Sequence, residues 1–281
     1  MMMEGKKWQR RNVGRRFLSD HVTAAGSLLL LFAAAFADGT AGQSLHVLEH
    51  IVMMQLKGSI TFPSTEKDTW TEPNPCDWLR VTCAPTTTDP NYKFVTSIDI
   101  SSSNINGTLP GSLGVLSQLL GFGAANNRLT GQLPDFANCS NLGMLDVSHN
   151  GFTSIPQTLF RNKPALWSVT LDYNLLLQPW EIPQDLSSSS SLFSFTAADC
   201  NIHGGLPSFF SNNTFPNLVH LQLANNSLTG PVPESLAGIS SLREVDLSNN
   251  HLTGSVPVFK QTNARVLTCG NSGLGDKGLP C

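Results

Sequence analysis

The sequence predicts an α/β repeat solenoid: a curved right-handed superhelix with a parallel β-sheet on its concave face, a 3₁₀ or irregular convex side and an N-terminal helical cap. Three observations predict it. The pattern LxxLxLxxNxLxGxxP recurs seven times from Val95 to Pro257, at intervals of 23 to 26 residues. Cysteine pairs flank the run, Cys76 with Cys83 before it and Cys269 with Cys281 after it. A basic leader followed by an apolar run opens the chain.

Lys6, Lys7, Arg10, Arg11, Arg15 and Arg16 precede the apolar stretch from Gly26 to Ala37, and Ala35 and Ala37 form an A-x-A site. That order predicts a signal peptide over residues 1–37, cut before Asp38 or, as a second choice, after Ala41. An uncleaved signal anchor is the alternative, but the apolar stretch is shorter than the roughly 20 residues of a spanning helix. No later segment reads as transmembrane. Removal of 1–37 leaves 11 Lys and Arg against 18 Asp and Glu, about −7, which argues against nucleic acid as a partner. Secretion places the chain outside the cell or at its surface, or in the plasma membrane if it is part of a longer membrane-anchored protein.

Each copy carries its own physics. In LVHLQLANNSLTGPVP from Leu218, Leu221 and Leu223 alternate with polar residues, so one side of a short strand points inward. A single copy cannot bury that side; stacked copies share a continuous core. Asn127, Asn150, Asn174, Asn226 and Asn250 at the ninth position are expected inside, satisfying main-chain groups of the turn. Two copies depart: the one from Leu166 runs into LLQPWEIPQDLSSSSS, which predicts a loop insertion near 177–191 with Trp180 exposed, and the one from Leu192 has Cys200 at the Asn position. The expected organisation is a cap over 38–94, repeats over 95–260 and a C-terminal cap or tail over 261–281.

An open solenoid exposes its core at both ends, so caps are required. LHVLEHIVMMQLKGSI from Leu45 reads as an amphipathic helix, followed by Trp70 and NPCDWLRVTC. In an oxidising compartment Cys76 with Cys83 and Cys269 with Cys281 are the natural local pairs, although six cysteines permit 15 pairings. Cys139 and Cys200 lie three rungs of roughly 4.8 Å apart, beyond the roughly 7 Å Cα limit for a bridge, and are expected as buried thiols. Asn106, Asn138, Asn212 and Asn225 head Asn-x-Ser/Thr sequons, candidate glycosylation sites.

The cap residues LKGSI, Trp70 and NPCDWLRVTC, with the LTGxxP repeat endings, resemble the ectodomains of plant leucine-rich-repeat receptor kinases. The stretch from about Val47 to Gly238 looks like the first repeat block of the transmembrane-kinase (TMK) subfamily, carried by VTSIDI before Ser103, PWEIP at Pro179 and SFTAADCNIHGGLP at Ser194. The family's linker island, most of its second block, its membrane helix and its kinase have no counterpart in this sequence. The resemblance implies cell-surface recognition of a protein or peptide ligand, with a receptor-kinase co-receptor as a possible partner. The alternative is a secreted inhibitor or wall-associated protein similar to polygalacturonase-inhibiting proteins.

No catalytic residues, cofactor or metal are expected. HVLEH from His46 to His50 matches the H-x-x-E-H zinc-protease pattern, but it falls in the capping helix with no third ligand behind it. GLGDKG from Gly273 matches G-x-G-x-x-G without the strand and helix a nucleotide loop needs. Asp99, Asp146 and Asp246 repeat at one solvent-facing position, on rungs too spread for a carboxylate pair, and VAIK, HRD and DFG are absent. Binding is expected on the concave face, at or beside which the register puts His149, Trp167, Asp172, Tyr173, Phe193, Asp199, His220, Gln222 and Arg243. Trp167, Tyr173 and Phe193 are the preferred anchors, since aromatics dominate interface energetics.

Overall fold

The computed structural model describes residues 45–63, 70–261 and 263–275. The predicted signal peptide, its cleavage sites, Cys281 and the second half of GLGDKG lie outside the described residues. The chain from 43 to 281 is one compact unit, a parallel-sheet solenoid.

Each repeat contributes one short strand to a nine-stranded sheet. In spatial order its strands are β2 (Val81–Pro85), β3 (Lys93–Asp99), β5 (Gly121–Gly123), β7 (Met144–Asp146), β9 (Ser168–Thr170), β10 (Ser194–Thr196), β12 (His220–Gln222), β14 (Glu244–Asp246) and β16 (Arg265–Leu267). All neighbours run parallel except β2 against β3. The middle residue of this sheet's strands from β5 to β14 turns into the core: Phe122, Leu145, Val169, Phe195, Leu221 and Val245 are buried. Convex turns close the other side with Leu113 and Leu186 from 3₁₀ segments and Leu236 from the short helix α2 (Glu234–Ala237).

After the ninth position of every repeat but the one from Leu166 the chain forms a second strand on the flank. One four-stranded sheet joins β1 (Ile60–Thr61), β4 (Asn106–Thr108), β6 (Arg128–Gln132) and β8 (Gly151–Ser154); another joins β11 (His203–Gly205), β13 (Ser227–Gly230), β15 (His251–Gly254) and β17 (Gly273–Leu274). They are separated at the repeat from Leu166, which lacks the Gly-x-x-Pro ending. The loop expected to project there is instead packed down, and the expected exposure of Trp180 is wrong. Trp180 is buried, bridges Ile202 and donates its indole N–H to the Cys200 carbonyl at 2.8 Å. A large ring with one donor gains more by filling the gap between the flank sheets than by facing water.

The ninth-position side chains form a ladder. Asn226 accepts from Cys200 N–H and Ile202 N–H of the preceding turn and donates to the carbonyls of Ala197, Leu223 and Ala224. Asn250 donates to Leu223, Leu247 and Ser248 and accepts from Leu228 N–H. Asn174 is buried likewise, whereas Asn127 and Asn150 are half-buried. Cys200 keeps only the donor half of the role, its thiol pointing at the carbonyls of Leu171 and Ala198. Asn271 extends the ladder, donating to Leu247 and Thr268 and accepting from Leu252 N–H. With β16 and β17, it carries the solenoid into residues expected to be a tail. The residue before each ladder position holds left-handed backbone: Asn126, His149, Tyr173, Asp199, Asn225 and Asn249 have φ between 53° and 58°.

The N-terminal end is closed by α1 (Val47–Ser59), which buries Val52, Met53 and Leu56. Glu49 on this helix is also buried and accepts Val95 N–H at 2.6 Å, tying the cap to the first repeat strand. It is therefore no candidate zinc-site base. Where the cap meets the solenoid, Gly107 is required: its φ is +124°, and a Cβ would stand 2.2 Å from the Ser59 carbonyl oxygen. Trp70 and Trp78 stack at 4.6 Å, both buried, beside the Cys76–Cys83 disulfide.

Asn226→Ala orphans three buried backbone groups, Cys200 N–H, Ile202 N–H and the Ala197 carbonyl, and is expected to cost about 3–5 kcal/mol, whereas Cys200→Ala removes two weak thiol bonds and costs about 1–2 kcal/mol, as measured by urea unfolding. Equal costs would contradict the ladder account. Burial raises the Glu49 carboxyl from 4.5 to about 7. The native state thus retains a proton that the unfolded chain gives up, so this contribution is full below pH 4.5 and is lost as pH rises through about 7. The melting temperature is expected to fall between pH 5 and pH 8 by a margin that Glu49→Gln reduces, as read by calorimetry at about unit pH intervals.

Candidate concave recognition face

The concave sheet presents rows of side chains that climb the solenoid one rung, about 4.8 Å, at a time. One edge row is stitched by backbone bonds from Gly143 N–H to Leu120 O, Trp167 N–H to Gly143 O, Phe193 N–H to Trp167 O and Val219 N–H to Phe193 O. Along it Leu120, Trp167 and Phe193 remain 54%, 48% and 42% exposed, high for residues of their size on a sheet. Gly143 makes room for the indole: a Cβ there would lie 3.0 Å from Cδ1 and Nε1 of Trp167.

The next row holds Ser168, Ser194, His220, Glu244 and Arg265 in register. His220 meets the Phe193 ring edge-on at 5.6 Å and places Nδ1 3.5 Å from Glu244, which also accepts from Arg265 at 3.2 Å. Gln222 lies one row further, half-exposed. On the opposite edge, in the left-handed row, Tyr173 stacks on His149 at 4.4 Å, and Asp199 accepts from Asn225.

The structure therefore brings together Trp167, Phe193 and His220 on one side and His149, Tyr173 and Asp199 on the other. Two residues read as binding candidates are committed elsewhere. Asp172 accepts from Thr196 Oγ1 at 2.7 Å and Ala198 N–H at 2.6 Å; burial raises its carboxyl pKa, with those two bonds opposing. Arg243 turns its guanidinium back onto the carbonyls of Ser240, Ser241 and Leu242. Sequence reasoning missed Leu120, Gly143, Glu244 and Arg265. The first three were within reach of the repeat register, since Leu120 and Gly143 share the position of Trp167, and Glu244 that of His220. Arg265 was hidden because its rung lacks the leucine spacing.

All four sequon asparagines are exposed: Asn106 in β4, Asn138 and Asn212 on convex turns, and Asn225 in the left-handed row. The Asn212 side-chain amide oxygen accepts from the backbone N–H and hydroxyl of Ser240. Cys269 is disulfide-bonded, while Cys139 and Cys200 are free and buried, their thiols pushed up to about 12 by burial. Beside Cys139, the fully buried Lys163 donates to the carbonyls of Phe136 and Arg161, and burial lowers its own pKa. Among the described residues no group of His, Cys, Asp and Glu has the makings of a metal site, and no helix is long and apolar enough to cross a membrane.

Stacked parallel rungs, an internal asparagine ladder and a disulfide-pinned helical cap define a leucine-rich-repeat solenoid, and residues 198–252 match the leucine-rich repeat family. The chain is similar to the ectodomains of plant receptor-like kinases. It is 34% identical over 187 residues to the receptor-like kinase TMK2 of Arabidopsis thaliana, a match covering 66% of this chain and 20% of that protein. The PEPR1–AtPEP1 crystal structure aligns with 28% identity and a TM-score of 0.68, over 80% of this chain and 31% of that one. A plant ice-binding protein aligns with a TM-score of 0.68 at 23% identity, over 83% of this chain and 73% of that one, a likeness of fold alone. The chain thus spans about a fifth of its TMK2 relative's length.

Native protein at pH 8 is expected to incorporate no iodoacetamide at Cys139 or Cys200, and denatured unreduced protein to label both, counted by mass spectrometry. Labelling of either thiol in the native state would contradict its burial.

Proposed function

We propose that this chain is a non-catalytic extracellular recognition module, the ligand-binding part of a receptor-like protein of the TMK type, which engages a protein or peptide through its concave face. The observation that carries this reading is the exposed row Leu120, Trp167 and Phe193 on one edge of the sheet with the Tyr173–His149 stack on the other. Rigid aromatic anchors lose little side-chain entropy on binding and dominate interface energetics. The similarity to PEPR1 bound to AtPEP1, and to the plant peptide hormone receptor RGFR1 in complex with RGF2 at 30% identity and a TM-score of 0.53, supports a peptide or protein ligand. The signal peptide over 1–37, the cap over 38–94, the repeats over 95–260 and glycosylation at Asn106, Asn138, Asn212 and Asn225 belong to the same reading.

Capture from plant cell-wall extracts on the immobilised chain tests it. The double replacements Trp167→Ala with Phe193→Ala, and Tyr173→Ala with His220→Ala, are each expected to weaken the captured partner's binding by about tenfold or more in titration calorimetry. Full retention of affinity in both would move the site off the concave face.

A further inference from the structure

We propose that the concave face selects an extended peptide of basic character; this rests on the concave-face reading above and adds the chemistry of its occupant. The unpartnered sheet face is walled by exposed Trp167 and Phe193 on one edge and by Tyr173 on the other. One row of its floor runs Gly121, Met144, Ser168 and Ser194, small at every rung but that of Met144. A main chain thus approaches the sheet closely while its side chains reach the walls.

Charge decides the occupant. From Gly121 to Asn225 the strand and left-handed positions of this face carry Asp146 and Asp199 and no Lys or Arg. The nearest cations toward the C-terminal end are held in place, Arg265 paired with Glu244 and Arg243 turned back onto backbone carbonyls. A guanidinium or ammonium group here meets an aromatic face and a carboxylate together, the setting in which cation–π and ion-pair attraction add. An acidic segment meets repulsion along the same path, and a neutral one leaves the carboxylates unmatched.

The test uses the full secreted chain and two fluorescein-labelled random peptide pools of about 12 residues, one fixed at a net charge of about +4 and one at about −4, read by fluorescence anisotropy. The basic pool is expected to bind and the acidic pool not. Asp146→Asn with Asp199→Asn, which keeps the local hydrogen-bond acceptors, is expected to weaken binding about tenfold, while Glu234→Gln on the convex side changes it less than about twofold. Preference for the acidic pool, binding of neither pool, or indifference to the Asp146 and Asp199 replacements overturns the proposal. Trp167→Ala separates the two readings, with Gly143→Ala as a milder displacement of the same ring. Loss of binding in these variants, with no effect of the charge replacements, keeps the concave site and discards its basic selectivity. Binding of the basic pool untouched by Trp167→Ala discards the site itself.

Discussion

The structure depends on one constraint: every turn of the solenoid leaves main-chain groups inside that water cannot reach, and a single side chain per turn must satisfy them. Asparagine suits the task because its amide offers two donors and an acceptor on one short stem. Asn226 illustrates the arrangement, its oxygen taking two N–H groups from the rung before while its nitrogen serves three carbonyls. The ladder therefore sets the pitch of the coil. The leucines fill the space that the ladder defines, and the concave strands fall into register because each is hung from the same internal hook.

The ends obey a different logic, since a coil that can always add another turn must be told where to stop. At the N-terminus α1 seats Met53 and Leu56 in the core, and Glu49 satisfies the Val95 amide that another rung would otherwise occupy. The stacked Trp70 and Trp78 and the Cys76–Cys83 bridge hold the segment between helix and first strand. Burying a carboxyl is costly, and its raised pKa is the trace of that cost.

Most of the fold was legible in the sequence because repetition averages out local ambiguity: seven copies agree on which positions face inward. The departures were harder, and for physical reasons. Trp180 stands in a polar, serine-rich stretch that reads as loop, yet its burial is decided by a gap between flank sheets that no single repeat encodes. The last rung was missed because Thr268 and Gly273 stand where leucines normally mark the period, leaving Asn271 as the one recognisable element. On the concave face the register placed Trp167, Phe193 and Tyr173 correctly as exposed residues. It could not foresee that Asp172 and Arg243 would be drawn into contacts with neighbouring turns, since those contacts depend on side-chain rotation and not on spacing.

The left-handed backbone before each ladder position divides the concave surface into two alphabets. Along that row the chain accepts mainly Asn, Asp, Gly or His without penalty, and Tyr173, with φ of 58°, is the costly exception. Sequence drift in that row is thus narrow, while the strand positions beside it are free to vary over nearly all side chains. A lineage of such proteins acquiring new partners would change at the positions of Trp167, Phe193, His220 and Glu244, and keep the left-handed edge almost constant in vocabulary. Tyr173 is the one bulky side chain set in that row, so its ring is held by a backbone that few other residues adopt without cost.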